Sequence, residues 1–451
     1  MSRPTALILA LASGFLLGCG ADSGSSACVP GLVAACACPG GGQGVQTCAA
    51  NGAQFGACTG CPSVDAEAPG DVAEDPEETA SGDLPGSDGL DVSPGTDDTS
   101  HEAPSDIVAA VPCEPCGYGT VKGVICAPNE QIFIAAGRVT IDAIDCDGSS
   151  KILETTSAAD GSWTLEGVPC GLHTVVVKAG SFEKTFPVQV ETGETTDHSG
   201  VGKKQCFKAN ATPIAVLWGQ WDHQHQLLDA LGLEYDYYNF EYDYFNDVDP
   251  DTIPALTLLR TPAELAKYRI IFFNCGSAAL SWATGYPEVA QNLREFVLDG
   301  GSLYASDLSW AYLEAAFPEA FDFYGADDLP NTPMANDGPQ QAMSNVEIAA
   351  TITDPTLAAY VGVKDFVAKY GPGPLIALEA VGPSGSVPHV MAGVKFETGG
   401  AFGGYEVKNQ PVVVSHAPGE GAGRVVYTTF HNDEQADDVM QKILNFLVFV
   451  L

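Results

Sequence analysis

Two periodicities divide the chain. Between residues 113 and 206 apolar and polar positions alternate with period two, as in Gly137 to Ala143, Gly161 to Gly167 and His173 to Ala179, and Gly, Pro and Asp break the runs. This spacing predicts a small antiparallel β-sandwich, with Asp160-Gly161 as a tight turn and Trp163 as a plug between the sheets. From Pro213 onward, strand and helix patterns alternate instead. Pro213 to Gly219 reads as a buried strand, and the helix after it has Leu227, Leu228 and Leu231 on one face with Asp222 placed to cap it. Tyr268 to Gly276 is a second strand. Val289, Leu293, Phe296 and Val297 mark a helix closed by Gly300-Gly301, and Ser302 to Asp307 is a third strand. Gly423 to Phe430 follows as a later strand before a terminal helix. This order predicts a doubly wound α/β domain over 213–451, with any ligand site beyond the carboxyl ends of its strands. Glu234 to Phe245 alternates aromatic with acidic residues over part of its length and reads as an edge strand and loop. Gly325 to Asn345 has no periodicity and reads as a lid or a disordered loop.

Composition adds what the pattern leaves out. Of 451 residues, 45% are hydrophobic, enough for a core, while 50 Gly and 30 Pro place much of the chain in turns and linkers. Acidic residues number 58 against 19 basic ones, and a formal charge of −39 would repel a phosphate backbone. Nucleic acid is therefore excluded as a partner. Pro62 to Pro112 holds 14 acidic residues and no Lys or Arg. That makes 62–112 a disordered acidic linker, extended by self-repulsion. Arg3 followed by the apolar run Ala6 to Leu17 reads as a signal peptide over 1–18, and Leu444 to Leu451 is too short to span a bilayer.

Cysteine spacing agrees with export. Apart from Cys19, six cysteines lie between Cys28 and Cys61, six between Cys113 and Cys206, and Cys275 stands alone. Two even groups in an exported chain predict disulfide frameworks, and the odd cysteine predicts a free thiol. Residues 19–61 then form a Cys-rich disulfide knot. Cys36, Cys38, Cys58 and Cys61 lack paired zinc-ribbon spacing, so no metal is assigned there. Asp145-Cys146-Asp147-Gly148 reads as a disulfide-pinned β-turn rather than a calcium loop.

Three stretches resemble known families. Leu16-Leu17-Gly18-Cys19 is similar to the lipobox of bacterial lipoproteins, which implies lipid on Cys19. Gly20 after it implies the outer membrane. Residues 113–206 resemble the carboxypeptidase regulatory-like domain, on Gly119 to Val124, the strand at Ala136, Thr156 to Leu165 and Val168 to His173. That family implies a structural or binding module, and no site is carried over. In residues 213–451 the motif order resembles the class I glutamine amidotransferase-like superfamily, flavodoxin-like in fold. The resemblance puts the nucleophile elbow at Asp307, the oxyanion loop at Asn274-Cys275-Gly276 and the catalytic histidine at His431. Asp307 stands where the family carries a cysteine, and Asn432-Asp433 replaces the family's Pro-Glu after His431.

The candidate chemistry follows from these positions. Cys275, Asp307 and His431 are the candidate catalytic residues, since a thiol beside an imidazole with a carboxylate behind it suffices for nucleophilic catalysis. A zinc site from Asp307, His431 and His223 or His225 is the alternative, but His223 and His225 diverge on a helix, and neither metal nor cofactor is assigned. Trp218, Trp221, Trp282 and Trp310 all follow strand ends, and with Asp222 they suggest a surface for stacking sugar rings. The reading is a lipid-anchored envelope protein, with a non-catalytic binding module for a glycan or an envelope protein. Its alternatives are an exported hydrolase or amidase using Asp307, His431 and Cys275, and a purely structural envelope protein.

Overall fold

The computed structural model describes residues 33–37, 43–47, 49, 54, 56, 57 and 115–451, apart from 201, 324–340, 372–374, 399–403 and 432–437. The signal peptide, Cys19, most of the cysteine-rich stretch, the acidic linker and most of the Gly325 to Asn345 loop lie outside the described residues. The chain divides into two compact units, residues 1–101 and 102–451. In the first, Val33–Ala37 pairs antiparallel with Gln43–Thr47.

The second unit opens with two four-stranded sheets. In one, Tyr118–Cys126 pairs with Ser162–Pro169, Gln205–Cys206 and Thr195–His198. The other runs Ser150–Thr156, Arg138–Ile144, Gly171–Ala179, Phe182–Val190. Strict alternation puts Val139, Ile141, Val175 and Val177 inside and Arg138 and Asp142 outside. The Asp160-Gly161 turn forms as the sequence implies: Gly161 has φ +74° and its N–H donates to Ala158 O at 2.9 Å. Trp163 is buried, with its ring against Gly123. Disulfides join Cys116 to Cys146 and Cys126 to Cys206, Cys170 is also disulfide-bonded, and Cys275 is the one free cysteine among the described residues. The turn at Asp145 closes through Gly148 N–H to Asp145 O at 2.8 Å, pinned by the Cys146 disulfide.

Strand and helix then alternate through β1 (Ile214–Leu217), α1 (Gln224–Leu231), β2 (Asp236–Tyr238), α2 (Pro254–Arg260), β3 (Ile270–Phe273), α3 (Pro287–Leu298), β4 (Ser302–Ser306) and α4 (Trp310–Ala316). There follow β5 (Val346–Ile352), α5 (Pro355–Val361), β6 (Asp365–Tyr370), β7 (Ser386–Glu397), β8 (Tyr405–His416), β9 (Val425–Thr428) and α6 (Asp438–Val448). One nine-stranded sheet runs β2-β1-β3-β4-β9-β8-β7-β5-β6. Its first five strands are parallel, in the flavodoxin-like order of a doubly wound sheet. β1, β3 and β9 are short and wholly buried, as strands covered on both faces must be.

The other four strands are an antiparallel extension that the strand-helix reading did not contain. Its cause is visible in β5 and β6, where buried and exposed positions alternate, the pattern of a sheet with one face to water. The aromatic-acidic tract does form an edge strand, β2, but its continuation is a helical turn, Glu241–Phe245, rather than a loop.

The β-sandwich and the α/β sheet share a core. Phe449, just beyond α6, has its ring 5.0 Å from Phe182 and 6.2 Å from Phe207. Ser181 N–H donates to Leu451 O, and Gly180, at φ +54°, lies so close that a Cβ there would sit 1.8 Å from the same oxygen. A glycine is required at this contact. Among the described residues no helix is long and apolar enough to cross a membrane.

Candidate functional site

Three strand ends build the site. β3 delivers Asn274 and Cys275, β4 delivers Asp307, and the segment after β9 delivers His431. At the end of β4 the backbone turns sharply: Ser306 is extended, Asp307 takes φ +42°, and one 3-10 turn over Asp307–Ser309 leads into α4. A positive φ at a non-glycine residue costs on the order of 1–3 kcal/mol and persists only where its surroundings enforce it. Here they do. The single Tyr427 Oη hydrogen is shared between Ile376 O at 2.9 Å and Asp307 O at 3.2 Å, tying the elbow to the segment ahead of β7.

The side chain is held as firmly. Asp307 is 0% exposed; its Oδ1 accepts the Ile376 N–H at 2.5 Å, while its Oδ2 lies 3.1 Å from His431 Nε2 and accepts from Cys275 Sγ at 3.5 Å. One donor atom from each of Cys275, Asp307 and His431 falls within 4.8 Å of the others, all buried. Burial raises the Asp307 carboxyl above the usual carboxylate range, against the opposing pull of His431. Burial, then the neighbouring Asp307, pushes the Cys275 thiol up to about 12. The thiolate that nucleophilic attack requires is therefore scarce at neutral pH.

A second polar network lies beside this one. Asp222, also 0% exposed, accepts from Ser306 Oγ at 2.6 Å and Gln224 Nε2 at 2.7 Å through Oδ2, and from His223 N–H at 2.8 Å through Oδ1. Asn274 Oδ1 accepts from Gln224 N–H at 2.8 Å, and Tyr304 Oη lies 2.7 Å from Thr428 Oγ1. These bonds join the carboxyl ends of β3, β4 and β9 to the start of α1.

The structure brings the candidate trio together, in surroundings that differ from those the sequence suggested. Cys275, Asp307 and His431 do converge. Asp222 does not cap α1, whose N-cap position is His223 without a side-chain bond, because the Asp222 carboxylate is turned inward to Ser306. For the same reason it is not a surface contact for a ligand. Of the four tryptophans, Trp218, Trp282 and Trp310 are buried, packed against Phe240, Phe240 and Phe323 respectively. Only Trp221 is open, at 38%. His223 and His225 face one another, with ring centroids 5.5 Å apart, and His225 lies 4.8 Å from the Tyr237 ring. The zinc set of Asp307, His431 and one of these histidines, weighed and set aside in the sequence, does not form: among the described residues, Cys275 is the donor that lies with Asp307 and His431, within 4.8 Å. Ile376 and Tyr427 were missed. Ile376 acts through a backbone N–H, which no side-chain pattern announces, whereas Tyr427 is an aromatic hydroxyl in a short, wholly buried strand.

No family model matches the sequence, and no curated protein is similar to it. Among solved structures the chain is similar to a ThuA-like protein from Bacteroides uniformis, at 10% identity over 53% of this chain and 91% of that one, with a TM-score of 0.33. It is similar to a glutamine amidotransferase from Thermotoga maritima at 8% identity, covering 53% of this chain and 95% of that one, with a TM-score of 0.30. An exo-β-1,4-mannosidase from an Opitutaceae bacterium is 14% identical over 52% of this chain and 35% of its own, with a TM-score of 0.24. Likenesses this distant assign no activity.

Proposed function

We propose that this is a lipid-anchored envelope protein whose α/β domain binds a glycan and does not cleave it. The observation that carries the reading is the state of the elbow. A nucleophile at this position must be exposed and activated. Asp307 is instead fully buried, with both carboxylate oxygens engaged. Burial raises the thiol pKa of the equally buried Cys275, which argues against it as the nucleophile of the hydrolase alternative.

Support for a ligand surface comes from the same end of the sheet. Trp221 follows β1, and Tyr237, Tyr242 and Phe245 lie on or just after β2, all exposed. Amphipathic rings of this kind stack on the apolar faces of sugars, and the acidic residues between them, Glu241 and Asp243, accept hydroxyl hydrogen bonds. Lipid on Cys19 and the linker 62–112 would hold this surface away from the outer membrane.

The test is a glycan panel titrated against tryptophan emission. A ligand stacked on Trp221 quenches the emission, and Trp221→Ala weakens binding roughly 2- to 10-fold, because an aromatic contact contributes about 0.5–1.5 kcal/mol beyond its area. Trp310→Phe, a buried change, leaves affinity unaltered. No saturable response across the panel, or equal affinity in Trp221→Ala, refutes the reading.

A further inference from the structure

We infer that Cys275, Asp307 and His431 form a zinc site. Their donor atoms come from three different strand ends and point at one another. Cys275 Sγ lies 3.5 Å from Asp307 Oδ2, His431 Nε2 lies 3.1 Å from the same oxygen, and all three atoms fall within 4.8 Å of one another. A tetrahedral zinc ion bound at about 2.3 Å by sulfur and about 2.0–2.1 Å by nitrogen and oxygen has ligand-to-ligand edges of about 3.3–3.5 Å. The two edges that meet at Asp307 Oδ2 are within a few tenths of an ångström of those values, and the third, within 4.8 Å, closes to about 3.5 Å when the ion binds.

The donor set is the one zinc favours: a borderline-soft thiolate and imidazole with a carboxylate. Orientation is supplied too. Ile376 N–H holds Asp307 Oδ1, leaving Oδ2 as the single carboxylate donor, the kind of outer-shell bond that fixes a metal ligand. The elbow conformation with φ +42°, anchored by Tyr427, aims that oxygen at the other two donors. Burying three ionisable groups together is costly unless they are paired or coordinate a metal. One Zn2+ with Cys275 thiolate and Asp307 carboxylate makes the cluster neutral. On binding, the thiol proton leaves to solvent, and the imidazole coordinates as the neutral ring. Because the site is closed to solvent, loading accompanies folding rather than following it.

This inference does not depend on glycan binding: metal content is read with no sugar present. The full-length protein, with disulfides intact, is unfolded in guanidinium chloride and refolded with one equivalent of zinc or with EDTA. It is then passed over a weak chelating resin and assayed for metal. Wild type retains about one zinc per chain, and Cys275→Ser retains at least about tenfold less, the scale on which even an outer-shell ligand partner acts. Refolding with Co2+ gives the wild type a thiolate-to-cobalt charge-transfer band in the near ultraviolet. That band needs no variant to be read, so a misfolded Cys275→Ser does not stall the test. Zinc retained equally by wild type and Cys275→Ser, or a cobalt form without the thiolate band, overturns the inference.

Discussion

Replacing Asp307 should destabilise the protein in an order set by its geometry. In Asp307→Ala the Ile376 N–H loses its acceptor in a site with no solvent exposure, and His431 and Cys275 each lose a bond to the carboxylate. A buried polar group left without its partner costs about 1–3 kcal/mol, so two substantial losses and one weak one come to about 3–5 kcal/mol. Alanine, an L residue like aspartate, keeps the strain of φ +42°, so that strain adds little to the difference from wild type. Asp307→Gly suffers the same lost bonds without that strain and should recover about 1 kcal/mol over alanine. Asp307→Asn keeps an acceptor for Ile376 N–H and should lose least. The assay is urea unfolding of the full-length chain in EDTA, followed by tryptophan emission, with free energies compared at constant slope. EDTA removes any metal contribution, so hydrogen bonds and strain are read alone. An alanine variant within about 1 kcal/mol of wild type would refute the claim that the carboxylate is locked, because losing even one such bond costs that much. A glycine variant less stable than alanine would refute the claim of strain.

Cys275 should resist alkylation by iodoacetamide in the native protein at mildly alkaline pH, since its thiol is buried and its pKa is raised to about 12, and should label in denaturant; native labelling mapped to Cys275 contradicts this. Asp354 caps α5 through the Thr356 and Leu357 N–H groups and pairs with His389 Nδ1 at 2.7 Å, and the imidazole holds its carboxyl below the usual range. Its ionised form therefore stabilises the fold fully above the unfolded pKa of about 3.9, and that contribution is lost as pH falls through the lower folded value. Asparagine keeps the cap, so the stability gap between wild type and Asp354→Asn should shrink from neutral pH toward about pH 3, and a gap independent of pH would sink the linkage. Cys19→Ser should release the mature chain from the membrane into the soluble fraction; retention after a high-salt wash contradicts lipid anchoring.

Much of the α/β half was legible because short, β-branched or aromatic runs such as Ile270–Phe273 and Val425–Thr428 leave few alternatives to buried parallel strands. The convergence of Cys275, Asp307 and His431 was legible for a related reason: each follows a strand end, and parallel neighbours bring such ends together. Burial of the tryptophans was not. A tryptophan after a strand end reads alike whether solvent or a neighbouring segment covers it, and here Phe240, at the start of the Glu241–Phe245 turn, covers both Trp218 and Trp282. Asp222 misled in the same way, since an aspartate before a helix reads as a cap even when its carboxylate turns inward to Ser306. The antiparallel extension escaped because the reading from Pro213 onward sought strand-helix alternation, and β7 and β8 pair directly as a long hairpin. Through Ile376, just ahead of that hairpin, the segment reaches the elbow by a backbone N–H that carries no sequence signal.

The central claim, that the elbow binds and holds but does not react, meets its most direct test in a turnover measurement. The full-length protein, prepared both with and without zinc, is assayed for ammonia release from glutamine and for hydrolysis across a panel of amides and esters. The account predicts no turnover above the level of Asp307→Ala in either preparation. Turnover by the wild type that disappears in both Asp307→Ala and His431→Ala, while each variant still unfolds cooperatively, would contradict it and make Asp307 and His431 the catalytic pair of a hydrolase.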